Sequence, residues 1–150
     1  MNIQQTIRRV LKEESEKQSR FMSNIMNDGL LQVMHDTGLS LLQIKSKTGE
    51  LPREVYERYI KDFVKNEGDQ LGSGSDADIK LIFAIGLSDQ KEAESFYLSK
   101  GNLTVEIVEY DSNDRKVAGG FERLENLSDY EIYRLSNDMI EWGKDIYYEI

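Results

Sequence analysis

Asp76 and Asp78 are the two carboxylates whose spacing most invites chemistry. They alternate along LGSGSDADIKLIF (71–83). In an extended backbone both point to one side, where they could share a magnesium ion. The glycines just before them could let backbone N–H groups approach a phosphate. A phosphate-cradling P-loop, however, needs Lys-Ser or Lys-Thr after its last glycine and a helix behind it. Here no such lysine follows, and the next element reads as a strand. A second stretch, DSNDRKVAGGFE (111–122), puts Asp111, Asn113 and Glu122 at the first, third and twelfth positions of a calcium loop. Its fifth position is Arg115 and its sixth is Lys116, where a ligand and a glycine are required, so a calcium loop is excluded. His35 is the single histidine and cysteine is absent. Zinc centres built from His and Cys together are therefore excluded, and no serine stands in a nucleophile-elbow setting to work with His35. At a helix end, His35 reads as a cap or surface group. Acid–base chemistry by carboxylates alone stays open, but nothing selects a pair among the 28 acids. No catalytic, metal-binding or cofactor-binding residue is singled out, and no cofactor is expected.

Two stretches resemble known signatures. LGSGSDADIKLIF faintly resembles the Gly-Ser and Asp-x-Asp signature of nucleotidyltransferases. That family separates the Gly-Ser from the carboxylates by a helical turn, whereas Ser75 adjoins Asp76 directly. SLLQIKSKTGELPREVYERYI (40–60) resembles a helix-turn-helix unit through Ile44, Gly49 and Val55. It departs from that pattern at Lys45, where a small residue is usual, and at Glu50, where an apolar one is usual. Outside its apolar stripe the second helix carries Arg53, Arg58 and Lys61 against Glu54, Glu57 and Asp62. Affinity for DNA comes largely from neutralising phosphates, and a net-neutral face gains little that way. The stretch reads as a corner between two core helices more readily than as a DNA reader.

The elements that would hold these residues fall into two parts. Residues 1–67 read as helical, with Ile3, Ile7, Val10 and Leu11 on one face and Phe21, Met22, Ile25 and Met26 on another such run. Between them KEESEKQSR (12–20) has no apolar residue, which predicts a solvated middle or a break. Asp28-Gly29 and Thr37-Gly38 mark helix ends around a short LLQVMHD segment. From Arg53 to Glu67 a stripe of Val55, Tyr56, Tyr59, Ile60, Phe63 and Val64 follows Pro52 at the first helical position. Met22, Met26 and Met34 read as core filler on these helices, although methionines also suit an adaptable groove. Residues 68–78 are rich in Gly, Ser and Asp and read as a loop or linker.

Residues 79–150 read as strands and a helix. IKLIFAIGL (79–87), SFYLS (95–99), LTVEIVEY (103–110) and VAGGFERL (117–124) form a small antiparallel meander, with a hairpin turn at Lys100-Gly101-Asn102 and a bulge expected at Gly119-Gly120. Leu103, Val105 and Ile107 fall on one face of their strand. A capping box at Ser128 and Glu131 opens a long last helix, with Leu127 and Ile132 placed for a hydrophobic staple. Its stripe runs Ile132, Leu135, Met139, Trp142 and Ile146, so Trp142 is expected to be buried. The fold class is α+β: a helical N-terminal region, then a small antiparallel meander closed by a long C-terminal helix.

Charge supplies the functional expectation. Net charge is −9, and it is unevenly placed. Residues 1–67 hold 11 Lys/Arg and 10 Asp/Glu, while residues 68–150 hold 8 and 18. With no motif for catalysis, the leading reading is a non-enzymatic, regulatory binding protein whose acidic α+β domain docks a basic protein. Proteins that mimic nucleic acid are one such class. Glu106, Asp111, Asp114, Asp138, Glu141, Asp145 and Glu149 are the expected partner-binding residues, because on strand, turn and last helix they fall outside the apolar stripes. The alternatives are a helix-turn-helix DNA-binding regulator using residues 40–67 and, third, a metal-dependent phosphate-processing enzyme on Asp76 and Asp78. No apolar run is long enough to cross a bilayer, and the N-terminus lacks the apolar block of a secretory signal. A cytoplasmic location is expected, which the lack of cysteine fits.

Overall fold

The computed structural model describes residues 3–74, 77–86, 91–110, 113 and 115–148. Four α-helices lead: α1 (Ile3–Asp28), α2 (Leu30–Thr37), α3 (Leu41–Thr48) and α4 (Arg53–Glu67). Five strands follow: β1 (Asp69–Gln70), β2 (Ile79–Gly86), β3 (Lys91–Ser99), β4 (Asn102–Tyr110) and β5 (Lys116–Arg123). A short 3-10 turn at Leu124–Asn126 leads into α5 (Asp129–Tyr148). The architecture is α+β, with an antiparallel sheet in the order β1-β2-β3-β4-β5. The chain divides into two compact units, residues 1–59 and 60–150, and the division falls within α4.

In the first unit α1 packs on α2 and α3. The polar stretch 12–20 does not break α1, which runs unbroken as one helix. Its Lys, Glu, Gln and Arg are good helix formers, and Glu13/Lys17 and Glu16/Arg20 stand four apart in the favourable order. The middle is solvated, as expected. Gly38 ends α2 in the left-handed conformation at φ 71°, its N–H donating to the Met34 carbonyl. Ser40 opens α3 with both halves of a capping box, exchanging bonds with Gln43. Ile25, Leu30, Val33, Leu41, Ile44, Leu51, Val55, Tyr56 and Tyr59 are buried.

In the second unit the sheet buries Leu81, Phe96, Leu103 and Val105 on one face, as the register aligns Leu81 with Phe96 and Phe96 with Val105. Ile132, Leu135 and Met139 of α5 are buried with them, as are Ile60, Phe63 and Val64. The Ser128 hydroxyl accepts from the Glu131 N–H at the start of α5, and Leu127 and Ile132 are both buried. Four details differ from the sequence reading. Residues 69–70, within the expected loop, pair with β2 as β1. Strand β3 begins at Lys91 and not at Ser95. The bulge lies at Val117, since Glu109 faces Ala118 and Tyr110 faces Lys116, while Gly119 and Gly120 pair regularly. Trp142 is half-buried, its ring edge-on to Phe63 at 5.4 Å.

Candidate binding face and buried carboxylate of the α+β unit

Strand β3 carries an unusual residue. Glu94 shares the inward parity of Phe96 and is 0% exposed. A carboxylate taken out of water is costly without a compensating charge. Helix α5 supplies that charge: Arg134 Nη2 lies 3.1 Å from Glu94 Oε1. The contact fixes which sheet face α5 covers. The same guanidinium donates to Glu131 Oε2 at 2.8 Å and stands 4.0 Å from Asp138 Oδ2. One cation thus serves three carboxylates, one of them in the interior. Burial raises the Asp138 carboxyl above its ordinary value, and Arg134 pulls it the other way.

The outward face of α5 is built differently. Tyr130, Tyr133, Asn137 and Glu141 recur at spacings of three and four, and all are exposed. Tyr130 is 72% exposed. Asp129 is exposed beside Tyr130 at the helix start, where a negative charge also suits the helix dipole. This face combines acids with aromatic rings.

The expected partner-binding residues separate on this frame. Glu141 is exposed on the outward face of α5, and Asp138 is half-buried beside Arg134. Glu106 is half-buried on β4, aligned with Ser95 and Phe121. Those residues point away from the Phe96 face, so Glu106 lies on the opposite side of the sheet from α5. Asp145 belongs to α5, with its side chain outside the described set. Asp111, Asp114 and Glu149 lie outside the described residues. Sequence reasoning missed Glu94 because it started β3 at Ser95, four residues too late. With the strand extended, the even positions 94, 96 and 98 align Glu94 with Phe96 and Leu98, and that parity was the available signal.

The other candidate motifs find structural roles. Asp78 Oδ2 accepts from the Lys100 N–H at 3.1 Å, which pins the β3–β4 turn. There Lys100 and Gly101 take positive φ of 52° and 82°. Asp76 lies outside the described residues, and no group of three or more His, Cys, Asp or Glu stands close enough to hold a metal among those described. In the 40–60 stretch, Gly49 takes φ 80° and Leu51 is buried in the turn. Arg53 Nε bonds Glu57 at 2.6 Å, and Arg58 donates to the Met26 carbonyl at 2.8 Å. Two of the three bases a DNA reader would use are thus engaged within the helical unit. Lys45 stands over the Tyr56 ring at 5.8 Å. His35 is exposed in the last turn of α2. No helix among the described residues is long and apolar enough to cross a membrane. No family model matches the chain, and no curated protein or solved structure is similar to it.

Proposed function

We propose that the chain is a non-enzymatic binding protein, regulatory in role and cytoplasmic, whose α+β unit docks a basic protein through the outward face of α5. The observation that carries this reading is the exposure of Tyr130 and Tyr133 on the same helix face as Glu141. Tyrosine offers a large contact area at low entropic cost and is enriched where proteins meet. The surrounding charge fits a cationic partner: α5 holds five acids and two bases. Acids at the rim would speed encounter, and the tyrosines would hold the bound state.

The test is capture on the immobilised chain at low and high salt. Basic proteins should be retained at low salt and released as salt rises, since the attraction is screened over about 10 Å at 0.1 M. Glu141→Lys with Asp145→Lys should slow association, while Tyr130→Ser should speed dissociation. Circular dichroism should be unchanged in both variants. Capture that ignores both changes defeats the proposal. A salt-sensitive gel shift of DNA by the wild-type chain would favour the helix-turn-helix alternative.

A further inference from the structure

Strand β5 ends the sheet, and its far side is open. No other strand among the described residues pairs beyond it, and Gly119, Gly120, Phe121, Glu122 and Arg123 are all exposed. The ladder fixes which backbone groups face that open side. The turn at Lys100-Gly101 has Ser99 and Asn102 as its first and last residues, paired across β3 and β4. Such a turn bonds its first carbonyl to its last N–H. Bonding then alternates along an antiparallel pair. Even-numbered residues of β4 therefore bond β3, and odd-numbered ones bond β5. Ile107 and Val105 take Gly120 and Glu122 as their partners. That leaves Gly119, Phe121 and Arg123 with N–H and C=O groups turned to the open edge. In keeping with that, the Arg123 N–H donates to Glu122 Oε1 at 3.2 Å.

Exposed edges are usually blunted by a charged side chain, a proline or a bulge. In β5 the bulge sits at Val117, and residues 117–121 carry no charge and no proline. The fold itself has no need of a glycine at 120: a Cβ there would meet nothing within 4 Å, and its φ is not left-handed. Glycine weakens a strand and often marks a place where another backbone comes close. Phe121 stands beside Tyr97 at 6.1 Å between rings, yet it is 65% exposed. We infer that β5 pairs antiparallel with β5 of a second copy of this chain, about a two-fold axis at Gly120. Gly119 of each copy then stands across from Phe121 of the other. Each such pair exchanges two N–H···O bonds between groups that already face the edge. Gly119 brings no side chain to hold Phe121 off. Gly120 meets Gly120 of the second copy at the position without hydrogen bonds, where the backbones come to about 4.5 Å between Cα atoms. Charge permits the contact here: residues 116–123 hold two bases and one acid, within a half (68–150) that holds 8 and 18. Paired residues share a sheet face, so both α5 helices fall on one side of the joined sheet. The pairing goes beyond the binding role of α5, and it would present two acidic faces per particle.

Sedimentation of the full chain should show twice the chain mass at high-micromolar concentration. Added salt should strengthen the association, because it screens two chains of net charge −9. Gly119→Pro removes an edge-facing N–H and leaves the bonds to β4 in place. It should weaken self-association by roughly twenty-fivefold, two lost bonds at about fivefold each, with circular dichroism unchanged. Gly119→Lys keeps the N–H, adds a charge to the edge and should also weaken the pairing. The native chain has no cysteine, so the register can be read by crosslinking. Gly120→Cys should oxidise to a disulfide-linked dimer. Glu122→Cys should not, because its two copies stand roughly 14 Å apart, four residues at about 3.4 Å each, beyond disulfide reach. A chain that stays monomeric leaves the edge to a strand of another protein and overturns the inference. So does Glu122→Cys that crosslinks as readily as Gly120→Cys, or self-association that Gly119→Pro and Gly119→Lys both leave untouched.

Discussion

Arg134→Met removes the cation beside a carboxylate that water does not reach. Glu94 is 0% exposed and Arg134 keeps about a quarter of its side chain in solvent. At an effective dielectric of 20, opposite charges about 4 Å apart attract by about 4 kcal/mol. Removing one partner of a buried pair typically costs about 3–5 kcal/mol. Solvent can follow the departing guanidinium along its exposed quarter, which lowers the expected cost to about 2–4 kcal/mol. The contacts of Arg134 to Glu131 and Asp138 lie nearer the surface and add about 0–1 kcal/mol each. The double variant Glu94→Leu, Arg134→Met leaves no buried charge behind and should recover most of the loss. Urea unfolding followed by fluorescence suits the measurement. Trp142 is the single tryptophan, and it belongs to the same unit as both residues. The reasoning fails if Arg134→Met costs under about 1 kcal/mol, or if the double variant is as unstable as the single one.

Two further outcomes follow from the same unit. Because burial raises the Asp138 carboxyl, the folded chain holds that proton more tightly than the unfolded chain. The charged form therefore weighs against folding at neutral pH, and that penalty fades as pH falls through the raised value. Asp138→Asn should thus be at least as stable as wild type at neutral pH, with the difference closing below the ordinary carboxylate range. Urea midpoints across pH check this, and a clear loss at neutral pH would mean the Arg134 contact outweighs burial. Gly68→Ala would place a Cβ 2.5 Å from both Ile79 Cγ2 and the Val64 carbonyl. It should cost about 1–3 kcal/mol by thermal melting, as overpacking does; no change would show that α4 and β2 can part there freely.

Local signals were legible wherever a residue's partner lies within a few positions. The α4 stripe is buried from Val55 to Val64. The Ser128 cap and the turn at Lys100-Gly101 stand where side-chain spacing and turn chemistry placed them. The lack of cysteine and the acidic second half also needed no structure. Other features depend on residues far apart in sequence. Glu94 is interior because Arg134, forty positions later, reaches it from α5. Asp78, which with Asp76 could have shared a metal ion only in the third of the readings, accepts a bond from the Lys100 N–H at the β3–β4 turn. Glu106 and Glu141, grouped by charge and by lying outside the apolar stripes, stand on opposite sides of the sheet. Periodicity reports which face of an element is apolar, because burial repeats with the backbone period. It cannot report which charged groups meet, because those pairings follow from how the strands register and from where the helix crosses them.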